Sequence, residues 1–409
     1  MTRRDKIVNF VIGTTDAVGF PIGIAFFSLQ TIIPAFLHRC GASEATVGAL
    51  SGISSLLVLA PGLLIVGALG RRPYLKGWLF WVALIERLVL LPLAFLAPLW
   101  GLSHPSWLIL ATFLCFCAHS LCMGFNIPAY WTVIAKTVPM HWRGRMYGVA
   151  GGIAGLCTLG TERILRTVVL GGANGGFPNG FGNGFLIGFT LLTASIMPFL
   201  FLREPRSEPR EGGNFRWADA LAVWHADARF RRLAISQTVY VLTNAAAPFL
   251  ALLAEKKLGK DAADLALYTT VYVFTSAVGS LFIGWLADRW GNRPMTAAAC
   301  LFGAATFLLA IVAPNNVAFA LVFALWALAT AGIDVAANTL MMELAGSSEK
   351  IPLYSALYNI VRAAPKTLAP WLGGLLVGWL GYPPIMAFAA IAALASLLLL
   401  GEGRGKLRT

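Results

Sequence analysis

Gly284-Trp285-Leu286-Ala287-Asp288-Arg289-Trp290-Gly291-Asn292-Arg293 is a short charged segment set between two apolar runs, 267–287 and 295–313. A helix of about twenty apolar residues crosses roughly 30 Å of hydrocarbon, so each flanking run is long enough to span a bilayer. The same alternation continues outward in both directions. Apolar runs separated by charged or Pro/Gly-rich breaks predict helices at 8–37, 46–69, 77–99, 107–135, 146–169, 183–202, 233–254, 267–287, 295–313, 317–342, 353–378 and 384–400. With 58% apolar and 12% charged residues, the chain lacks the polar surface of a soluble fold. Strands of a barrel would alternate in polarity, and these runs do not.

Cations fall in every second connection. Arg3, Arg4, Lys6, Arg71, Arg72, Lys76, Lys136, Arg143 and Arg145 share one side with the segment from Arg203 to Arg232, then Arg289, Arg293, Lys350, Arg404, Lys406 and Arg408. The opposite loops hold chiefly Arg39, Lys256, Lys257 and Lys260. The positive-inside tendency therefore predicts both termini in the cytoplasm of a multi-pass plasma-membrane protein, the bacterial inner membrane being expected. No cleavable signal is expected, because the apolar stretch behind the Met1–Lys6 stub is too long for a signal core. The net charge of +13 reads as topology and anionic-lipid contact, with no nucleic-acid partner. The polar stretch 203–232 divides the chain into six-helix halves, 1–202 and 233–409. Within it, Trp217, Leu221, Trp224 and Ala228 share a helical face, as a helix lying at the interface would; a solvated linker is the alternative.

Internal repetition accompanies this division. Gly124-Phe125-Asn126-Ile127-Pro128-Ala129 in helix 4 lines up with Gly332-Ile333-Asp334-Val335-Ala336-Ala337 in helix 10. Gly41 and Gly67 bracket helix 2 as Gly259 and Gly284 bracket helix 8. Here the chain resembles the major facilitator superfamily, whose loop after helix 8 often reads G-x-x-x-D-R-x-G-x-R, matched by Gly284, Asp288, Arg289, Gly291 and Arg293. The resemblance implies an all-α membrane fold of about twelve helices in two pseudo-symmetric bundles, alternating access, a cytoplasmic charge latch at those residues, and helices 1, 4, 7 and 10 around a central cavity. The loop after helix 2 departs from the pattern. Arg71 stands where the acid would be, which suggests Arg71 or Arg72 pairing with Glu343 or Glu349 instead.

Ionisable groups inside spans are costly unless they meet a partner or a watery cavity. They are Asp16, Glu86, Arg87, Glu162, Arg163, Arg166, Asp334, Arg362 and Lys366, with His119 as a further titratable group. On helix 11, Tyr358, Arg362 and Lys366 recur every four residues with Asn359 adjoining, a face on which an anionic solute could dock; an internal salt-bridge network is the bland reading. Asp16, Glu162 and Asp334 are the candidate proton carriers, whereas Glu86 beside Arg87 reads as a neutralised structural pair. Gln30, Asn126, Tyr130, Trp131, Gln237, Tyr240, Asn244, Trp326 and Asn338 could complete a cavity.

Cys115, His119 and Cys122 share one face of helix 4 and could pass a soft metal ion, although small cysteines also pack well between membrane helices. Six cysteines, mostly within predicted spans, give no disulfide framework. No phosphate-binding G-x-x-x-x-G-K-[ST] loop occurs, so nucleotide-driven pumping, enzymatic activity and a cofactor are not expected. The sequence points to a monomeric, proton-coupled secondary transporter of a small organic, anionic solute, with the lipid bilayer as its other partner. A flippase or exporter of amphiphiles on the same scaffold is the alternative.

Overall fold

The computed structural model describes residues 2–70, 72–171, 176–206, 217–259, 263–346 and 350–401. Long helices follow one another along the chain: α1 Arg3–Arg39, α2 Glu44–Gly70, α3 Lys76–Trp100, α4 Pro105–Thr137, α5 Met140–Ile164, α6 Asn179–Phe201, α7 Ala228–Leu258, α8 Ala263–Trp290, α9 Asn292–Val312, α10 Asn316–Ala345, α11 Ile351–Leu380 and α12 Tyr382–Gly401. Nine spans among the described residues are long and apolar enough to cross a membrane. The remaining three, α2, α5 and α11, run for 27, 25 and 30 residues. An apolar exterior needs every backbone polar group satisfied within its own segment, which helices alone do without a closed barrel.

The expected spans and the observed helices overlap along the chain, but several of the spans are interrupted. The first expected span is continuous, but α1 is interrupted: it passes through a 3₁₀ turn at Ala25–Phe27 and resumes at Ile32. In α7, 3₁₀ turns at Leu242–Ala245 and Ala247–Phe249 interrupt the helix at the corresponding place in the second half. Pro21 and Pro34 in α1, and Pro248 in α7, each remove a backbone donor. Interrupted helices at matching places in two halves leave irregular backbone deep in the bundle.

Packing repeats between the halves. In the first, α1 lies on α5 and α6, α4 on α2 and α3, and α3 on α6; in the second, α7 lies on α11 and α12, α10 on α8 and α9, and α9 on α12. The halves meet along two seams, α2 against α11 and α5 against α8. The α2–α11 seam is close because Gly48 and Gly52 lack side chains. A Cβ on either would lie 2.0 Å from the carbonyl oxygen of Pro370 or Thr367, respectively. The Gly124 and Gly332 stretches fall on corresponding helices but touch different neighbours. Gly124 lies on the carbonyls of Leu57 and Val58 in α2, whereas Gly332 lies on Ala299 in α9. A π-helical turn at Ile333–Ala337 gives α10 a feature that α4 lacks there.

Between the halves, Trp217–Ala226 is helical, and Val223 and Trp224 pack against the apolar cluster around Phe230 and Tyr354 while Leu221 is exposed. Asp227 caps α7 through the N–H groups of Arg229 and Phe230 and accepts a hydrogen bond from the Tyr354 hydroxyl of α11 at 3.0 Å. After α6, the Glu204 carboxylate accepts from the N–H groups of Leu75 and Lys76 at the start of α3, where a negative charge suits the helix dipole, and pairs with Lys136 at 3.2 Å.

Candidate functional site

The interior of the second half gathers polar side chains from α7, α8, α9, α10 and α11. The π-helical turn in α10 carries Asp334, which is exposed and lies within electrostatic reach of Lys366 and Arg362 on α11. The guanidinium of Arg362 stacks over the Tyr358 ring, 4.4 Å from its centroid. Tyr358 and Tyr240 are buried, and both lie within electrostatic reach of Asp334 and Cys300. Tyr240 fits because α9 has Gly303 beneath its hydroxyl, at 2.8 Å from where a Cβ would stand. Tyr272 of α8 lies beside Thr330 of α10 and within electrostatic reach of the same carboxylate. The Tyr240 and Tyr358 hydroxyls, Arg362 Nε and Trp326 Nε1 are buried without a hydrogen-bond partner among the described residues. Polar atoms in that condition cost free energy unless a ligand or water meets them.

The other expected residues fall partly in this cluster and partly in the first half. Glu162 pairs with Arg166 of its own turn at 2.6 Å, leading into a π-helical turn at Leu165–Val169. Asp16 is buried against Arg87 at 3.5 Å and accepts a hydrogen bond from Ser195. Asn126 is buried, with its carbonyl oxygen unpaired. Tyr130 packs on Trp131 and Phe199, Asn338 donates to the carbonyl of Asp334, and Asn244 sits in the interrupted stretch of α7. Gln237 is fully buried against Cys300, and Asn359 is half-buried beside Tyr358. Cys115, His119 and Cys122 do not form a metal cage: among the described residues no group of three or more His, Cys, Asp or Glu side chains could hold an ion. His119 turns instead toward α3, 3.1 Å from the carbonyl of Glu86.

Asp288, Arg289 and Arg293 are exposed at the end of α8 and start of α9. Arg289 stacks on Trp285 at 4.1 Å, and Arg293 donates to the carbonyl of Leu400 at 2.5 Å. Gly284 faces Val335 of α10, and Gly291, at φ +90°, makes the turn into α9. Arg72 stacks on Trp78 and Glu343 accepts from Asn292 at 2.6 Å, so among the described residues Arg72 and Glu343 do not pair; Arg71 and Glu349 lie outside the described residues.

Residues 233–406 match the family model Major Facilitator Superfamily. Over nearly its full length the chain superposes on solved transporters. A nucleoside transporter, NupG, is 14% identical, with a TM-score of 0.67 over 96% of this chain and 98% of that one. The xylose transporter XylE from E. coli, in a partially occluded inward open conformation, is 13% identical, with a TM-score of 0.65 over 99% of both chains. Residues 233–406 therefore carry the family match, and the chain as a whole shares the fold of these transporters. A chloramphenicol resistance protein of Pseudomonas aeruginosa is 29% identical over 140 residues, 34% of this chain and 33% of that protein's own length. The motif at Gly284–Arg293 lies within the matched residues and is legible in the sequence, whereas Tyr272, Thr330 and Cys300 carry no sequence signal of their own. Thr330 stands one turn before Asp334 on α10, and the packing of α8 and α9 on α10 brings Tyr272 and Cys300 into the same polar cluster.

Proposed function

We propose that this chain is a secondary active transporter that moves a small organic anion by alternating access coupled to protons. The observation that carries this reading is the cluster of Arg362, Lys366, Tyr358 and Tyr240 around Asp334. Two cations and one acid leave a net positive site, and the unpartnered hydroxyls and Arg362 Nε give an anion with polar substituents its hydrogen bonds. Asn359, Gln237, Asn244, Asn338, Asn126 and Tyr130 complete the set of candidate contacts on α11, α7, α10 and α4.

Asp334 is the proton carrier in this scheme. When the anion replaces the carboxylate as partner of the cations, the acid gains affinity for a proton, and linkage couples the two occupancies. Bundles 1–202 and 233–409 rock about the 203–232 linker, with both termini cytoplasmic in a plasma membrane and one chain as the working unit. Contacts at the far end from the termini support an inward-facing state: Thr31 with Thr269, Arg39 with Glu255, and Glu44 with Tyr382, while Asp288 and Arg289 stand exposed at the near end. The deciding experiment measures proton flux in proteoliposomes presented with small organic anions. Anion-driven proton movement supports the reading, and an uncoupled or cation-driven flux overturns it.

The drug-resistance relative favours a second reading, export of a small amphiphile through the same cavity. Accumulation of a neutral aromatic drug by inverted vesicles, insensitive to Arg362→Gln, would select it.

A further inference from the structure

Inside the first half lies a second set of charges, away from Arg362 and Lys366. Asp16 of α1, Glu86 and Arg87 of α3 and His119 of α4 are all buried. Arg87 is fully engaged: Nη2 faces Asp16 at 3.5 Å, Nε donates to the carbonyl of Leu192 at 2.7 Å, and Nη1 donates to that of Ala83 at 2.8 Å. Asp16 also accepts from the Ser195 hydroxyl of α6 at 3.0 Å, so Asp16 and Arg87 form a satisfied, neutral pair.

Glu86 is then left over. Its Oε1 is buried with no hydrogen-bond partner among the described residues, 3.9 Å from Arg87 Nη1 and 3.9 Å from His119 Nδ1. His119 Nδ1 stands 3.1 Å from the Glu86 carbonyl oxygen, which can only accept, so this nitrogen carries a hydrogen and Nε2 is the ring position open to a further proton. Among the described residues, Phe116 edges the His119 ring, Phe20 lies under Arg87, and Cys122 lies within reach of Glu86; none of the three carries a positive charge. Two carboxylates, one guanidinium and a neutral imidazole would leave one uncompensated negative charge in an interior that solvates it poorly.

We infer that Glu86 and His119 form a one-proton binding site in the first half, a resident proton from water being held either on the Glu86 carboxylate or on His119 Nε2. With it the four side chains sum to zero charge and tie α3 to α4. Without it, Glu86 is a bare buried anion. This assignment is independent of the anion site, because no group in it comes from the second half.

The test uses the full chain in lipid nanodiscs near neutral pH. In ¹⁵N-histidine-labelled protein, His119 is recognised as a ring shielded from a water-soluble relaxation agent and is assigned with His119→Gln. In protein carrying ¹³C-glutamate, the infrared spectrum shows whether a buried glutamic acid is protonated. Two results agree with the site: both His119 ring nitrogens protonated, or a carboxylic C=O band that follows the glutamate label and vanishes in Glu86→Gln. Removing the acid also makes the remaining three groups neutral without the proton, so in Glu86→Gln the His119 ring should become neutral, a change that lost packing would not produce. Where Glu86→Gln does not fold, Glu86→Asp serves, and the band should pass from the glutamate to an aspartate label. A neutral His119 ring in the unmodified chain, together with no glutamic acid band, overturns the inference.

Discussion

Thr31 of α1 and Thr269 of α8 share a hydrogen bond of 2.6 Å across the line where the two halves meet. Both side chains are buried, and the bond joins the interrupted stretch of α1 to the first turns of α8. Nearby, Arg39 faces Glu255 at 3.8 Å and the Tyr382 hydroxyl donates to Glu44 at 3.4 Å. These contacts, with the glycine-cut approach of α2 to α11, join the two halves at this end of the molecule.

Gly48→Ala or Gly52→Ala should open that end. The added Cβ meets a backbone carbonyl at 2.0 Å, which a rotamer change cannot relieve. Overpacking of this kind costs about 1–3 kcal/mol, roughly a ten- to hundredfold shift in population away from the observed state. Thr269→Val, which loses the one hydrogen bond to Thr31 across the seam, worth about 1 kcal/mol, besides that to the Leu265 carbonyl of its own helix, should shift it less. Cysteine labelling from either side of the membrane reads the change, and unchanged labelling in the glycine variants would rule out the closed seam as a determinant of the equilibrium.

Arg362→Gln should abolish or greatly weaken uptake of an anionic substrate. A hydrogen bond to a charged group contributes about 1.5–3 kcal/mol, so binding should fall about ten- to hundredfold, measured as substrate affinity in purified protein. Normal transport by this variant would leave Arg362 and Lys366 as internal charge balance for Asp334.

Asp334→Asn should retain substrate exchange while losing accumulation driven by a proton gradient, because the amide still fills the site but carries no exchangeable charge. Glu162→Gln is the comparison. Glu162 is held by Arg166 at 2.6 Å on its own helix, so its loss should matter less. Comparing counterflow with gradient-driven uptake separates the two, and accumulation that survives both substitutions would remove coupling from these acids.

For Asp288→Asn, the expected effect is on the state not seen here. Asp288 is exposed in the observed state, so substitution should leave this state's packing unchanged while removing a charge pair from the closed form of the same end. Labelling of that end should rise by up to about threefold to tenfold, as expected for a pair worth on the order of 1 kcal/mol. Identical labelling on both faces would count against a latch at Asp288.

Apolar run length and the placement of cations were sufficient to find the helices, because hydrocarbon accepts only segments that satisfy their own backbone, and that constraint is local. The charged turn at Asp288–Arg293 was legible for the same reason: a tight return between two spans needs Gly291 at positive φ. The four-residue spacing of Tyr358, Arg362 and Lys366 also placed them together, since α11 is helical throughout that stretch. What lay opposite them was not local. Asp334 reaches Arg362 and Lys366 through a π-helical turn and the packing of α10 in its bundle, whereas Asp16 and Glu162, which looked equivalent in sequence, find Arg87 and Arg166 instead. The interruptions of α1 and α7 gave only proline signals, and the seam at Gly48 and Gly52 none that distinguished it from other glycines. Sequence by itself determined which segments enter the membrane and which charges enter with them. Tertiary structure decided the partners of Asp16 and Asp334, because those charges are met from other helices, whereas Glu162 and Arg166 pair one turn apart on their own helix.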